Sequence, residues 1–428
     1  MKKLLISLIV SSFLFGFEFQ PMGFTSAGMG GAGVANAKGS VGLYYNPALL
    51  AKHRYSAEIS LGVGIGVREY NLINRIDRLA NEDKLSETIK HIADNAPVSG
   101  SNIASGDNKR MEDALKQLYA LSQGNGFSIQ PTAEFAAQFG NFGIGVFGEG
   151  DFTAQAVIDR QHLYVIVKDK DNGGYYYYDP KHDVYGASSK EMYEKYSLEY
   201  ALDNNLTYLD VKGIGIAEVP IGYAKSFNIK NSTLSVGIAL KYMQGITYKN
   251  QISIDTNSDE LEDSLKDNKK TSSSFGLDLG LLLSADKINI GLVAKNLNSP
   301  KFKFYDGSEY KVKPMVRGGI NLELTNWLEF AMDIDLTKND TLIKDFKSQY
   351  IGGGFNIHQS WFSIRAGAMR NMVQDEEGTI ITAGLGLGLK WFQLDLAAEA
   401  STKTGTYDGQ DIPRYFKVNV ALISRWGG

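Results

Sequence analysis

The chain contains no cysteine. That removes disulfides, thiolate nucleophiles and cysteine metal centres from consideration at once. Histidine is nearly as scarce: His53, His91, His162, His182 and His358 are all there are, and none stands at metal-ligand spacing from a second His, Asp or Glu set. No G-x-S-x-G element and no evident triad is present, so catalysis is not expected, nor is a cofactor. The formal net charge is −4, which gives no footprint for nucleic acid. Beyond residue 17 no apolar run approaches the ~18 residues of a membrane-crossing helix.

What the chain does have begins at its first residues. Lys2 and Lys3 precede an apolar stretch from Leu4 to Phe15, interrupted only by Ser7, Ser11 and Ser12 and followed by the small Gly16. This reads as an export signal over 1–16, too short to span a bilayer.

Alternation then dominates. In "YSAEISLGVGIGV", residues 55–67, the odd positions are Tyr55, Ala57, Ile59, Leu61, Val63, Ile65 and Val67, while the even ones are serine, glutamate or glycine. A period of two is a strand with one apolar face. Fourteen such segments recur: 55–69, 127–139, 141–153, 207–226, 232–253, 271–285, 286–297, 312–324, 326–337, 348–358, 360–370, 379–390, 391–400 and 413–426. One face of the sixth carries Phe275, Leu277, Leu279, Leu281 and Leu283; the opposite face of the ninth carries Glu329, Asp333 and Asp335. Most runs are longer than the ~5–6 residues usual in a soluble sandwich and suit tilted strands crossing a bilayer.

Connection lengths agree. The links after even-numbered strands are very short, whereas those after odd ones run as long as 70–126 and 154–206. This asymmetry predicts an all-β membrane protein: a fourteen-stranded antiparallel outer-membrane β-barrel, its long loops external. Apolar spacing in those loops (72–93, 111–121) predicts helices, as does a capping box of Ser188 and Glu191 before residues 192–202. "VIVKDKDNGGYYYYD" predicts a hairpin turning at Asn172-Gly173, and the acidic run 255–267 a solvated loop.

Gly28-Met-Gly30-Gly31-Ala-Gly33 matches a dinucleotide fingerprint, but no buried strand precedes it and no acidic residue stands about twenty positions on. Its setting, "GFTSAGMGGAGVANAKGSVGLYYNPALLA" at 23–51, resembles the N-terminal region of the FadL family of outer-membrane transporters for hydrophobic compounds. It is equally similar to the outer-membrane family of TraF-type conjugal transfer proteins. The glycine-rich run, Ala35 and Ala37, and Tyr45-Asn46-Pro47-Ala48 carry the resemblance, and "GLVAKNLNSP" at 291–300 adds to it.

The resemblance implies a hatch over 17–51, including Gly28, Gly30, Gly31, Gly33, Asn46, Pro47 and Ala48, plugging a barrel of 52–428. It implies passive uptake of hydrophobic small molecules (or detergent), captured by loop residues Leu72, Ile76, Leu79, Met111, Leu115 and Leu118. A kink in the third strand at Gly148, Glu149 and Gly150 would form the side exit. Small residues should let the hatch pack on Gly62, Gly64 and Gly66. The expected partners are the Gram-negative outer-membrane bilayer, lipopolysaccharide and the insertion machinery, because the terminal amphipathic strand closing on Trp426 resembles the signal by which that machinery recognises its clients. A non-transporting scaffold and a general porin stand as alternatives.

Overall fold

The computed structural model describes residues 18–23, 25–52, 56–97, 104–254, 268–344, 346–389, 392–407 and 410–427. The export signal, His53 and the acidic run 255–267 lie outside them.

Fourteen antiparallel strands close into one barrel. They are β1 (Ala57–Tyr70), β2 (Gly126–Phe139), β3 (Phe142–Val157), β4 (Tyr208–Ile229), β5 (Ser232–Ile252), β6 (Lys269–Ala285) and β7 (Ile288–Lys295). The second half comprises β8 (Met315–Glu323), β9 (Leu328–Asp335), β10 (Tyr350–His358), β11 (Phe362–Asn371), β12 (Thr379–Leu389), β13 (Phe392–Ser401) and β14 (Tyr415–Trp426). Every neighbour in space is a neighbour in sequence, and closure comes from β1 pairing with β14, Ala57 opposite Trp426. The alternation therefore located all fourteen strands to within a few residues.

The outer surface is apolar because that face is meant for lipid. Phe275 is 68% exposed and Leu240 64%, values that would be a liability in water over so large a patch. The face turned inward is polar: Glu329, Asp333, Asp335, Arg317, Arg365, Asp395, Glu399 and Lys417 are all buried. Trp327, Trp361 and Trp426 stand exposed at the short-turn rim, forming the aromatic girdle expected where a barrel meets a membrane interface. This chain is a membrane-spanning barrel of the outer-membrane type.

The long external connections fold into a cap. Loop 70–126 contains helices α1 (Ile73–Asp77), α2 (Leu85–Asp94) and α3 (Asn108–Ser122). Loop 154–206 holds a three-stranded sheet of Ile166–Lys168, Tyr175–Asp179 and Val184–Ala187, adding a third strand to the hairpin that the sequence predicts. Helices α4 (Lys190–Tyr196) and α5 (Leu198–Asp203) follow, in place of one continuous helix. The break has a cause: Ser197 is extended and its hydroxyl accepts from Tyr200 N at 3.2 Å, starting a new helix. The first cap is Ser189, accepting from Met192 N, one residue later than the sequence box placed it. In the cap Asp183 is desolvated, yet hydrogen bonds from the Tyr178 hydroxyl and the Ser105 and Gly106 amides hold its carboxyl below the usual range.

Candidate functional site

The described residues between 18 and 51 lie inside the barrel. Every described residue from Glu18 to Ala37 is buried, as is Ser40 to Leu50. Glycine makes the fit possible. Gly30 sits at φ 65°, and a Cβ there would fall 2.4 Å from the Ala368 carbonyl oxygen. The wall is glycine at the same places: a Cβ on Gly352 would meet Gly30 O at 2.1 Å, one on Gly354 the Met29 Cα at 2.9 Å, and one on Gly384 the Gly28 Cα at 3.3 Å. Backbone thus packs on backbone, against β10, β11 and β12. Gly62, Gly64 and Gly66 of β1, the expected partners, instead make room for Glu134, Asn419, Thr132 and Gln130.

Hydrogen bonds fix the register of this segment. Asp333 Oδ2 accepts from Gly33 N (2.8 Å) and Val34 N (2.9 Å), and Gly30 N donates to Thr382 Oγ1 at 2.9 Å. Asn46 is the pivot of the Tyr-Asn-Pro-Ala element. Its Nδ2 donates to Val34 O and Leu281 O, and its Oδ1 accepts from Ala48 N at 3.0 Å. Pro47 and Ala48 fit over Gly237, where a Cβ would lie 2.3 Å from Ala48 N. Near the short-turn end Ser40 N donates to Glu58 Oε1, and near the external end Glu18 pairs with Arg68 at 2.8 Å. The contacts therefore run over most of the barrel's height.

Above the segment a cavity of about 30 Å³ is lined by Phe19, Tyr44, Glu149, Glu218, Lys295 and residues 310–313 among others. Lys295 Nζ lies 3.7 Å from the centre of the Tyr44 ring and Arg317 Cζ 3.5 Å from that of Phe19, cation–π contacts in a desolvated setting. Phe147 of β3 packs on Tyr44, ring centres 5.3 Å apart. The opening thus offers aromatic faces and charge together.

Beside it the wall is weakened. The β2–β3 ladder runs from Phe127 opposite Ala154 to Ile129 opposite Phe152, lapses, and resumes with Thr132 opposite Glu149. The β3–β4 ladder lapses between Ile144 opposite Ile221 and Phe147 opposite Glu218. Pro131 and Pro220 stand in the two gaps, and proline has no N–H to give a ladder. The pairing numbers on either side of each gap are the same, so neither is a bulge. Gly148 keeps partners on both sides, Ala133 and Ala217; Gly150 keeps only Gly215; Glu149 points into the lumen and lines the opening. Among the nine prolines these two alone fall within barrel strands, and a proline in a central strand was the readable signal that glycine density obscured.

The loop residues lie elsewhere. Leu72, Leu79, Met111 and Leu118 are buried in the core of the cap with Leu85, Ile89 and Tyr185, and Ile76 and Leu115 pack against that core.

A family model described as F plasmid transfer operon, TraF, protein matches residues 43–335, from within the luminal segment to the end of β9. No curated protein matches the chain. Among solved structures it is similar to the Ralstonia pickettii toluene transporter TbuX at 13% identity, covering 96% of this chain and 100% of that one, with a TM-score of 0.49. A FadL homologue of Pseudomonas aeruginosa is similar at 9% identity over 96% and 100%, TM-score 0.48. The Pseudomonas putida toluene transporter TodX follows at 10% identity over 95% and 98%, TM-score 0.46. With its model match covering residues 43–335 of 428, the chain belongs to the TraF family of the F plasmid transfer operon.

Proposed function

We propose that this protein is a channel of the Gram-negative outer membrane that admits small hydrophobic or amphipathic molecules, its N-terminal hatch shifting to let them pass and the wall beside β3 releasing them sideways. One observation carries this reading: β3 is flanked on both sides by proline-made lapses in its ladders, next to an opening lined by aromatic rings and charge. A sheet inside a bilayer must satisfy its own backbone, so paired lapses around one strand mark where the wall parts at least cost. The aromatic lining suits an apolar body and Glu149 or Lys295 a polar end. No chemistry on the ligand is part of this proposal. Lipopolysaccharide at the external rim and the insertion machinery at β14 complete the set of partners.

The absence of native cysteine makes the test clean. A cysteine pair replacing Ala133 and Gly148, directly opposite each other beside the lapse, ties β2 to β3 and leaves Pro131 in place. Oxidation should stop uptake of an aromatic hydrocarbon by proteoliposomes, and reduction should restore it. Uptake that ignores the cross-link removes the lateral exit.

A second reading is favoured by the family match and by a lumen occupied along its height: a barrel that transports nothing and serves as an assembly scaffold. The buried segment speaks against an open porin. Reduced protein that never admits the hydrocarbon supports the scaffold.

A further inference from the structure

We propose that Glu134, with Thr132 and Asn419, holds one small monovalent cation, of sodium size, between the barrel wall and the N-terminal segment. Glu134 is 3% exposed, and neither of its carboxylate oxygens has a hydrogen-bond partner among the described residues. Asn419 Nδ2, on the far side of β1, is equally without one. Glu134, Thr132 and Asn419 line a single small space together with Gly62, and Met22 and Gly23 close it from the lumen.

Glycine in β1 creates that space. A Cβ on Gly64 would lie 2.2 Å from Asn419 Oδ1 and 2.6 Å from Thr132 Oγ1, and one on Gly62 would lie 3.0 Å from Glu134 Oε1. Oxygens from β2 and β14 therefore converge over the two residues that have no side chain.

Charge selects the occupant. A bare carboxylate out of water is strongly unfavourable unless something neutralises it. The charge that bears on Glu134 is Glu58, a second carboxylate, and Glu58 already has Arg425 Nε at 2.9 Å and Ser40 N at 2.9 Å. Arg425 balances Glu58, which leaves Glu134 one positive charge short. The space takes a single water-sized particle, so an organic ammonium does not fit. A divalent ion against one carboxylate would carry surplus charge. Hard oxygen donors, with the Asn419 amide turned to present Oδ1, suit a small alkali cation. Seated beneath Met22 and Gly23, it ties the N-terminal segment to the wall.

The test uses the full protein in detergent at pH 8, unfolded by heat in sodium chloride or in N-methylglucamine chloride at matched ionic strength. The wild-type midpoint should rise with sodium and saturate, by about 2–4 °C. Glu134→Gln should fold and show no sodium response. Thr132→Val, which keeps the carboxylate, should need several-fold more sodium for half the effect. A wild-type midpoint that follows pH but not sodium means a proton neutralises Glu134 and overturns the proposal. A sodium response that survives in Glu134→Gln overturns it too.

Discussion

Replacing Arg68 with methionine should destabilise the protein by about 3–5 kcal/mol and raise the ion current that the barrel passes. Arg68 is 1% exposed and reaches across the lumen. Its Nη1 pairs with Glu18 at 2.8 Å, its Nε pairs with Glu377, and its Nη2 donates to the Tyr350 hydroxyl at 3.2 Å. Phe346 and Tyr415 flank the guanidinium, their ring centres 5.1 and 5.3 Å away. Methionine fills much of the volume but abandons two buried carboxylates. Removing one partner of a buried ionic cluster is far costlier than removing the cluster. The triple variant Arg68→Met, Glu18→Gln, Glu377→Gln should therefore recover most of the loss. Denaturant unfolding followed by tryptophan fluorescence measures the first effect. Current through planar bilayers measures the second, because Glu18 is the external anchor of the segment that fills the lumen. Wild-type stability and silence in Arg68→Met would show that the cluster anchors nothing.

The barrel was legible because its physics is periodic. Alternation such as Phe275, Leu277, Leu279 reports which solvent each face meets, lipid or lumen, and neighbouring strands repeat it, so local error does not accumulate. The loop helices were legible by spacing, but their boundaries were decided by single hydroxyls. Ser189 and Ser197 each cap a helix, whereas spacing alone marks Ser188 as the start of one unbroken run. What alternation could not report is which wall residues meet the N-terminal segment. Gly30 lies against Gly353 and Ala368, more than 300 positions away in sequence, and no local pattern links them. The lapses at β3 were hidden for a different reason. Glycine around Glu149 marks β3 itself in the sequence, while the missing donors belong to its neighbours, at Pro131 and Pro220.

Gly30→Ala should cost about 2–5 kcal/mol, from a left-handed conformation disfavoured by about 1–2 kcal/mol and an overpacking penalty of about 1–3 kcal/mol. The added methyl would stand 2.4 Å from Ala368 O, 2.7 Å from Gly353 N and 2.8 Å from Gly353 O, all backbone atoms of a closed sheet that cannot yield. Gly173→Ala is the control, since Gly173 has φ 72° with nothing within 4 Å of a Cβ and should suffer only the conformational part. The difference between the two variants isolates close packing from backbone strain. Because the strands of the wall pair with one another, the segment is what must move. Losing its seat at Gly30 also stretches the bond from Gly30 N to Thr382 Oγ1 and the neighbouring grip of Asp333 on Gly33 and Val34. The expected result is a barrel that still inserts but unfolds at lower temperature than the Gly173→Ala control, and passes steady ion current where the wild type passes little. If Gly30→Ala is no worse than Gly173→Ala and no leakier than wild type, glycine on glycine is not what keeps the segment in place.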